Sequence, residues 1–276
     1  MTTWLITGAS SGLGHALARA VLEKGDNAVV TARDAKSVAD LAAAYPDTAL
    51  AVALDVGDHA LVEATVAQAT ERFGAVDVLV NNAGHGFRAA VEEAADDETA
   101  ELFATNFFGP VDLIKSVLPP MRARRSGTIV NVSSIGAPRS NPASGYYSAT
   151  KAALEAMSDG LNREVGPLGI RVLVVVPGAF RTDFSGRSLL QSRTVIDDYA
   201  DTAGRRRKEN DRTHGTQQGD PARAARAIIT AVEAEHPPFR LLLGSDALAV
   251  VREELRGRLD EIDTWEHLSA TTDFSD

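Results

Sequence analysis

The sequence predicts an α/β fold, a parallel sheet covered by helices on both faces, within a single domain spanning 1–276. Short apolar runs alternate with helical patterns along most of the chain. The runs are apolar at every position rather than at alternate ones, as strands buried on both faces must be. The first run also ends in a glycine-rich turn, "TGASSGLG", that opens straight into a helix.

"WLIT" (4–7) is the first strand, followed by the helical pattern "HALARAVLEKG" (15–25). "NAVVTA" (27–32) is the second strand, "SVADLAAAY" (37–45) a helix and "ALAVALDV" (49–56) the third strand. A helix over 60–74 closes at Gly74, and "VDVLVNNAG" (76–84) reads as strand then turn. A helix over about 98–125, a strand at 128–133, a helix from Tyr147 to Glu164 and a strand at 170–178 continue the alternation. Periodicity fades over 179–220, which reads as a flap with apolar residues first and "GRRRKENDRTHGTQQGD" after. Pro221 suits the first turn of a helix over 221–235. A last strand follows at 239–244, then a helical tail at about 246–268.

Composition excludes several functions. With no cysteine there is neither a disulfide framework nor a thiolate metal site, and histidines 15, 59, 85, 214, 236 and 267 lack the i, i+4 pairing of a zinc helix. No metal site is expected. A net charge of −10 repels phosphates, so no nucleic-acid partner is expected, and "RRRK" (205–208) reads as a solvated face. No apolar run reaches the 18 or more residues of a membrane span, and the N-terminus lacks the basic region of a signal peptide. These features predict a cytoplasmic protein without a membrane partner.

The turn places Gly8, Gly12 and Gly14 where backbone must bend tightly and approach a ligand. The helix behind it offers free N–H groups and a positive dipole end to a pyrophosphate. Together with "NNAG" (81–84) and "YSATK" (147–151), this turn resembles the short-chain dehydrogenase/reductase family, closely over residues 3–185. The resemblance implies a Rossmann-type, doubly wound sheet of about seven strands that binds NAD(H) or NADP(H) at the carboxyl ends of its strands. "NFFGPV" and the segment after "FRTDF" look most like the branch of 17β-hydroxysteroid- and retinol-dehydrogenase-like enzymes.

On the family pattern, Asn106, Ser134, Tyr147 and Lys151 match the catalytic group. Helix geometry selects Tyr147 over Tyr146, because residues four apart share a face and residues five apart do not. Tyr146 reads as a packing residue. A tyrosine of ordinary pKa near 10 needs roughly 4 kcal/mol of preference for the phenolate to work near neutrality. One cation about 4 Å away supplies about that much at an effective dielectric near 20. Lys151 is the expected cation, Ser134 the donor to the substrate oxygen, and Asn106 the holder of a helix distortion and a proton-relaying water. The predicted reaction interconverts a ketone or aldehyde and an alcohol by hydride transfer. The alternative is a non-catalytic NAD(P)-binding sensor, which would have no use for Tyr147 and Lys151.

Matched to the family, Gly8, Ser10, Ser11, Gly12, Leu13 and Gly14 form the phosphate turn, and Asp55 with Val56 the adenine side. Asn81, Asn82, Ala83 and Gly84 run along the cofactor, while Pro177, Gly178 and Thr182 orient the nicotinamide carboxamide. Tyr147 and Lys151 also touch the cofactor. Ala32 stands where an acidic residue would select NAD, and Arg33 follows, suited to the 2′-phosphate of NADP. NADP(H) is therefore the expected cofactor with NAD(H) possible, and Asp34 is the residue that a one-residue change in the turn would bring into NAD-type contact. The apolar part of the flap predicts a hydrophobic carbonyl or alcohol substrate. The family also implies a homodimer or homotetramer through the helices at 98–125 and 147–164, on Leu113, Ile114, Val117, Ala152, Ala153, Ala156 and Leu161.

Overall fold

Why every strand is apolar throughout is visible at β1 (Thr3–Ile6) in the computed structural model, which describes residues 1–186, 188–208 and 215–274. Trp4 and Ile6 face one helical layer and Leu5 the other, since successive strand side chains point to opposite faces. From β1 the chain continues through α1 (Gly12–Glu23), β2 (Asn27–Ala32), α2 (Ala39–Ala44), β3 (Ala49–Ala53), α3 (His59–Phe73), β4 (Val78–Asn81) and β5 (Gly86–Arg88). Next come α4 (Asp96–Phe103), α5 (Gly109–Arg124), β6 (Gly127–Val132), α6 (Gly145–Val165), β7 (Ile170–Pro177) and β8 (Leu189–Gln191). The chain ends with α7 (Pro221–Glu233), β9 (Arg240–Leu243) and α8 (Ser245–Ala270).

Seven strands form one parallel sheet in the order β3–β2–β1–β4–β6–β7–β9. On one face Leu17, Val21, Ile228 and Val232 of α1 and α7 pack on Trp4, Ile6, Val30 and Val80. On the other, Val62, Leu113, Val117 and Leu161 of α3, α5 and α6 pack on Leu5, Val29, Leu79 and Ile129. Leu113, Ile114, Val117 and Leu161 are thus core of this chain, which corrects their expected place at a subunit interface. Buried apolar side chains of this size contribute about 1.5–3 kcal/mol each, so the core retains them. Of that face, Ala152, Ala156 and Phe108 point outward.

Two features that position the site escape the periodic pattern. Between α4 and α5 the helix widens into one π turn, Ala104–Phe108, with Asn106 fully buried inside it. And β5 and β8 form a small parallel sheet of their own, pairing Gly86 with Leu189 and Arg88 with Gln191. The described part of the expected flap is thus tied to the body through β8 and through two contacts with Glu93. Its Glu93-facing part is held by Ile196, whose amide donates to Glu93 Oε1 (3.0 Å), and by Arg207, which is ion-paired to the buried Glu93. Arg187 and residues 209–214 of the flap, His214 included, lie outside the described residues.

Candidate active site

A cavity of about 750 Å³ opens at the carboxyl ends of β1, β4, β6 and β7. Gly8, Ser10, Ser11, Gly12 and Leu13 form one wall. Gly8 (φ +66°) and Gly12 (φ +60°) take left-handed backbone that favours glycine, and a Cβ on Gly8 would meet Ala83 Cα at 2.9 Å. Gly14 does not line the cavity; a Cβ there would meet Gly8 O at 2.5 Å, so its smallness lets the turn fold against itself. Behind the turn, Ser11 starts α1 without a capping side chain. By contrast, Asp58 accepts from Ala60 and Leu61 amides at the start of α3, and Asp220 from Ala222 and Arg223 at the start of α7. The amides at the head of α1, where Gly12 and Leu13 line the cavity, therefore have no capping side chain from Ser11, an arrangement suited to a phosphate.

The side of the cavity expected to take adenine is bounded by Ala32, Arg33, Asp55 and Val56. Asp34 turns away: its Oδ1 accepts from the Lys36 amide (2.9 Å), capping the next helical turn. Asn82, Ala83 and Gly84 line the middle, with Asn82 Nδ2 donating to Thr7 O (2.8 Å) and Gly8 O (3.1 Å). Asn81, by contrast, lies inside the sheet and donates to Asn131 Oδ1 (2.8 Å), which removes it from the cavity wall. Pro177, Gly178 and Thr182 line the far end. The Gly178–Ala179 backbone sits tight against Asp246, whose Oδ2 accepts from the Ala179 amide (2.7 Å).

Ser134, Tyr147 and Lys151 converge on the cavity. Lys151 Nζ donates to Val132 O (2.9 Å), and burial alone pulls its pKa down to about 8. Burial pushes the Tyr147 phenol above its ordinary value, while its hydrogen bond with Ser134 and the charge of Arg88 pull it the other way. The protein's own groups thus leave Tyr147 raised, contrary to the lowering expected from Lys151. Asn106 is wholly spoken for: Oδ1 accepts from the His85 amide (3.0 Å), and Nδ2 donates to His85 O (2.9 Å) and Thr150 Oγ1 (3.2 Å). It fixes the turn after β4 to α6 and does not line the cavity, so it is a positioning residue. Tyr146 packs beside Phe87, Ala89 and Leu102 and donates to Val91 O (3.2 Å).

Sequence reasoning passed over Arg88 here. Arg88 is buried on β5, donates from Nη1 to Ser144 Oγ (2.9 Å), and is pulled down to about 10 chiefly by burial. Only its place after "NNAG" hinted at it. His85 lines the cavity with its Nε2 buried and unpartnered, and burial holds its pKa below the ordinary value. Phe184 lies with its ring 5.7 Å from that of Tyr147, tilted by 53°.

The pattern of the short chain dehydrogenase family matches residues 2–192. The chain belongs to that family. A 3-ketodihydrosphingosine reductase of Bacteroides thetaiotaomicron is 37% identical over 244 residues, covering 87% of each chain. A short-chain dehydrogenase structure from Streptomyces avermitilis superposes with a TM-score of 0.92 at 44% identity, over 99% of this chain and 100% of that one. An alcohol dehydrogenase from Thermococcus sibiricus, complexed with 5-hydroxy-NADP, gives a TM-score of 0.73 at 26% identity, over 88% of this chain and 96% of that one. Members of this family are oxidoreductases of CH–OH groups, and so is this one.

Proposed function

We propose that this short-chain dehydrogenase/reductase interconverts a hydrophobic ketone or aldehyde and its alcohol, with NADP(H) preferred over NAD(H). The observation that carries the reading is Tyr147, buried at the cavity and hydrogen-bonded with Ser134, with Lys151 lining the same cavity. A dinucleotide fits the chain: the head of α1 and the Gly8–Leu13 turn would hold its pyrophosphate, Arg33 a 2′-phosphate, Asp55 the adenine, and Thr182 the carboxamide. The nicotinamide, when bound, supplies or accepts the hydride.

The chain's own part is proton handling. Ser134 donates a hydrogen bond to the carbonyl oxygen and Tyr147 gives that oxygen its proton as negative charge develops. Lys151, protonated for most of its population below pH 8, compensates the phenolate left behind. Phe184 and Leu190 offer the substrate an apolar wall next to Tyr147, with His85, Ser188 and Gln217 as polar points. The Bacteroides relative's name supports a lipid-like ketone, since it is called a reductase of such a compound.

The same reading takes the chain to work in the cytoplasm as a homodimer or homotetramer. No helix among the described residues is long and apolar enough to cross a membrane. The exposed Phe108, Ala152 and Ala156 support a family-type helix face between subunits.

The test is NADPH oxidation with a panel of ketones, aldehydes and polar sugars. Tyr147→Phe is expected to lose turnover and keep cofactor binding, while Tyr146→Phe stays active. Preference for sugars, or an active Tyr147→Phe, overturns the reading; cofactor binding with no turnover on any substrate favours the sensor.

A further inference from the structure

Helix α8 leaves the body of the protein half-way along its length. Its first turns are held, with Ala247 buried, Glu253 paired to Arg139 (3.1 Å) and Arg258 donating to Pro138 O. Beyond Arg258 every described residue is exposed. A helix surrounded by water should be polar all round, and this one is not. Leu248, Leu255, Leu259 and Ile262 follow one another at spacings of seven, four and three, which places them on one stripe. They are 39%, 53%, 59% and 63% exposed, and Trp265 extends the stripe.

Charge selects what covers it. Arg252 and Arg256 flank the first half of the stripe, whereas Asp260, Glu261, Asp263 and Glu266 fill the second half, which has no Lys or Arg. Among the described residues neither Arg252 nor Arg256 enters an ion pair, although the neighbouring Arg258 is paired with Glu254. An anionic bilayer surface attracts Lys and Arg, so the acidic outer half argues against a lipid partner. A second copy of the same helix, running antiparallel, matches both patterns. With the two-fold axis at Leu259, that residue meets its own counterpart, and Leu255 packs beside Ile262 of the mate, one residue (about 1.5 Å) out of exact register. Arg252 then stands opposite Glu266, and Arg256 on the same flank as Asp263. A parallel copy would instead gather acid against acid.

We propose that α8 is a self-association element, pairing antiparallel with α8 of a second copy about a two-fold axis at Leu259. Such an interface is isologous, each half of the helix meeting the other half of its mate. It is separate from the face on α5 and α6. Because α8 also holds Pro138 and Arg139, in the loop after Ser134, the pairing braces one rim of the active site.

The native chain has no cysteine, so Leu259→Cys introduces a single thiol. A short bismaleimide is expected to convert this variant to a covalent dimer at micromolar concentration and to leave Glu253→Cys, on the flank bound to Arg139, monomeric on a denaturing gel. By sedimentation, Leu259→Glu with Ile262→Glu is expected to halve the native mass with the far-ultraviolet circular dichroism unchanged. Arg252→Glu should weaken the assembly at low salt, and Arg252→Glu with Glu266→Arg should restore it. An unchanged mass in the double glutamate variant, or no cross-link at Leu259→Cys, overturns the proposal.

Discussion

Lys151 is held in the fold at a cost that pH exposes. Its pKa is about 8 against an ordinary 10.5, so between those values the unfolded chain binds more protons than the folded one. Stability therefore rises with pH across that window, and below about pH 8 the full penalty, up to about 3 kcal/mol, is present. Lys151→Met removes it and loses one hydrogen bond to Val132 O, worth about 1 kcal/mol. We expect the variant to be inactive yet about 2 kcal/mol more stable to urea at pH 7, with the gain gone near pH 10.5. Arg33→Ala makes the complementary test of the proposed cofactor contact in the cavity wall. It is expected to weaken NADP(H) binding about ten- to a hundredfold, as a lost charge-assisted bond would, and to leave NAD(H) binding unchanged; fluorescence titration decides it. At this scale the sequence was legible where periodicity applies. Tyr147 and Lys151 separate from Tyr146 on helix spacing alone. Asn81 and Asn82 did not separate, because the phase in which a strand ends decides which side chain turns inward. Arg88 reaches the neighbourhood of Tyr147 only through β5, a strand too short to show a period.

Among elements, the described part of the flap shows a contact that its sequence does not announce. A polar, aperiodic stretch predicts quick amide exchange over 185–215, but aperiodic sequence says nothing about a single buried anchor. Glu93 is 2% exposed and accepts from the amides of Ala90 and Ile196 while pairing with Arg207. Removing its charge strands Arg207 in the interior, at a cost of about 3–5 kcal/mol. Glu93→Gln is therefore expected to speed exchange over 189–208, measured by mass spectrometry, and to raise KM for the carbonyl substrate with cofactor affinity unchanged. Slow exchange over 189–199 in the native protein is the matching expectation. The π turn was half legible: Asn106 was expected to hold a helix distortion, and it sits inside one, its amide filled by His85 and Thr150. The wider turn itself leaves no mark on a 3.6-residue pattern.

For the whole molecule, ligand binding should report on the entire cavity at once. NADP(H) at a hundred times its Kd adds about 2.7 kcal/mol by mass action. At about 2–4 °C per kcal/mol for a domain near this size, Tm is expected to rise by about 5–10 °C, and by less with NAD(H) at the same concentration. Differential scanning fluorimetry with the two cofactors side by side checks this. A Rossmann-type sheet of about seven strands was implied by the resemblance, and the alternation of fully apolar runs located all seven of its strands to within a few residues. Only the small β5–β8 sheet was absent from that reading. Its pairing has a consequence for how the protein is born. In the main sheet each strand after β1 lays itself on an edge already present, first β2 and β3 outward on one side, then β4, β6, β7 and β9 on the other. That order of assembly is also the order in which the ribosome releases the strands, so the sheet can grow with the chain. The β5 strand emerges early and waits, its edge open, until β8 arrives from far along the sequence. A chain complete only through α6 would thus hold five of the seven main-sheet strands, with an unpaired β5 at the rim of the cavity. Such a rim is a surface for a chaperone to cover, or for a neighbouring nascent chain to join.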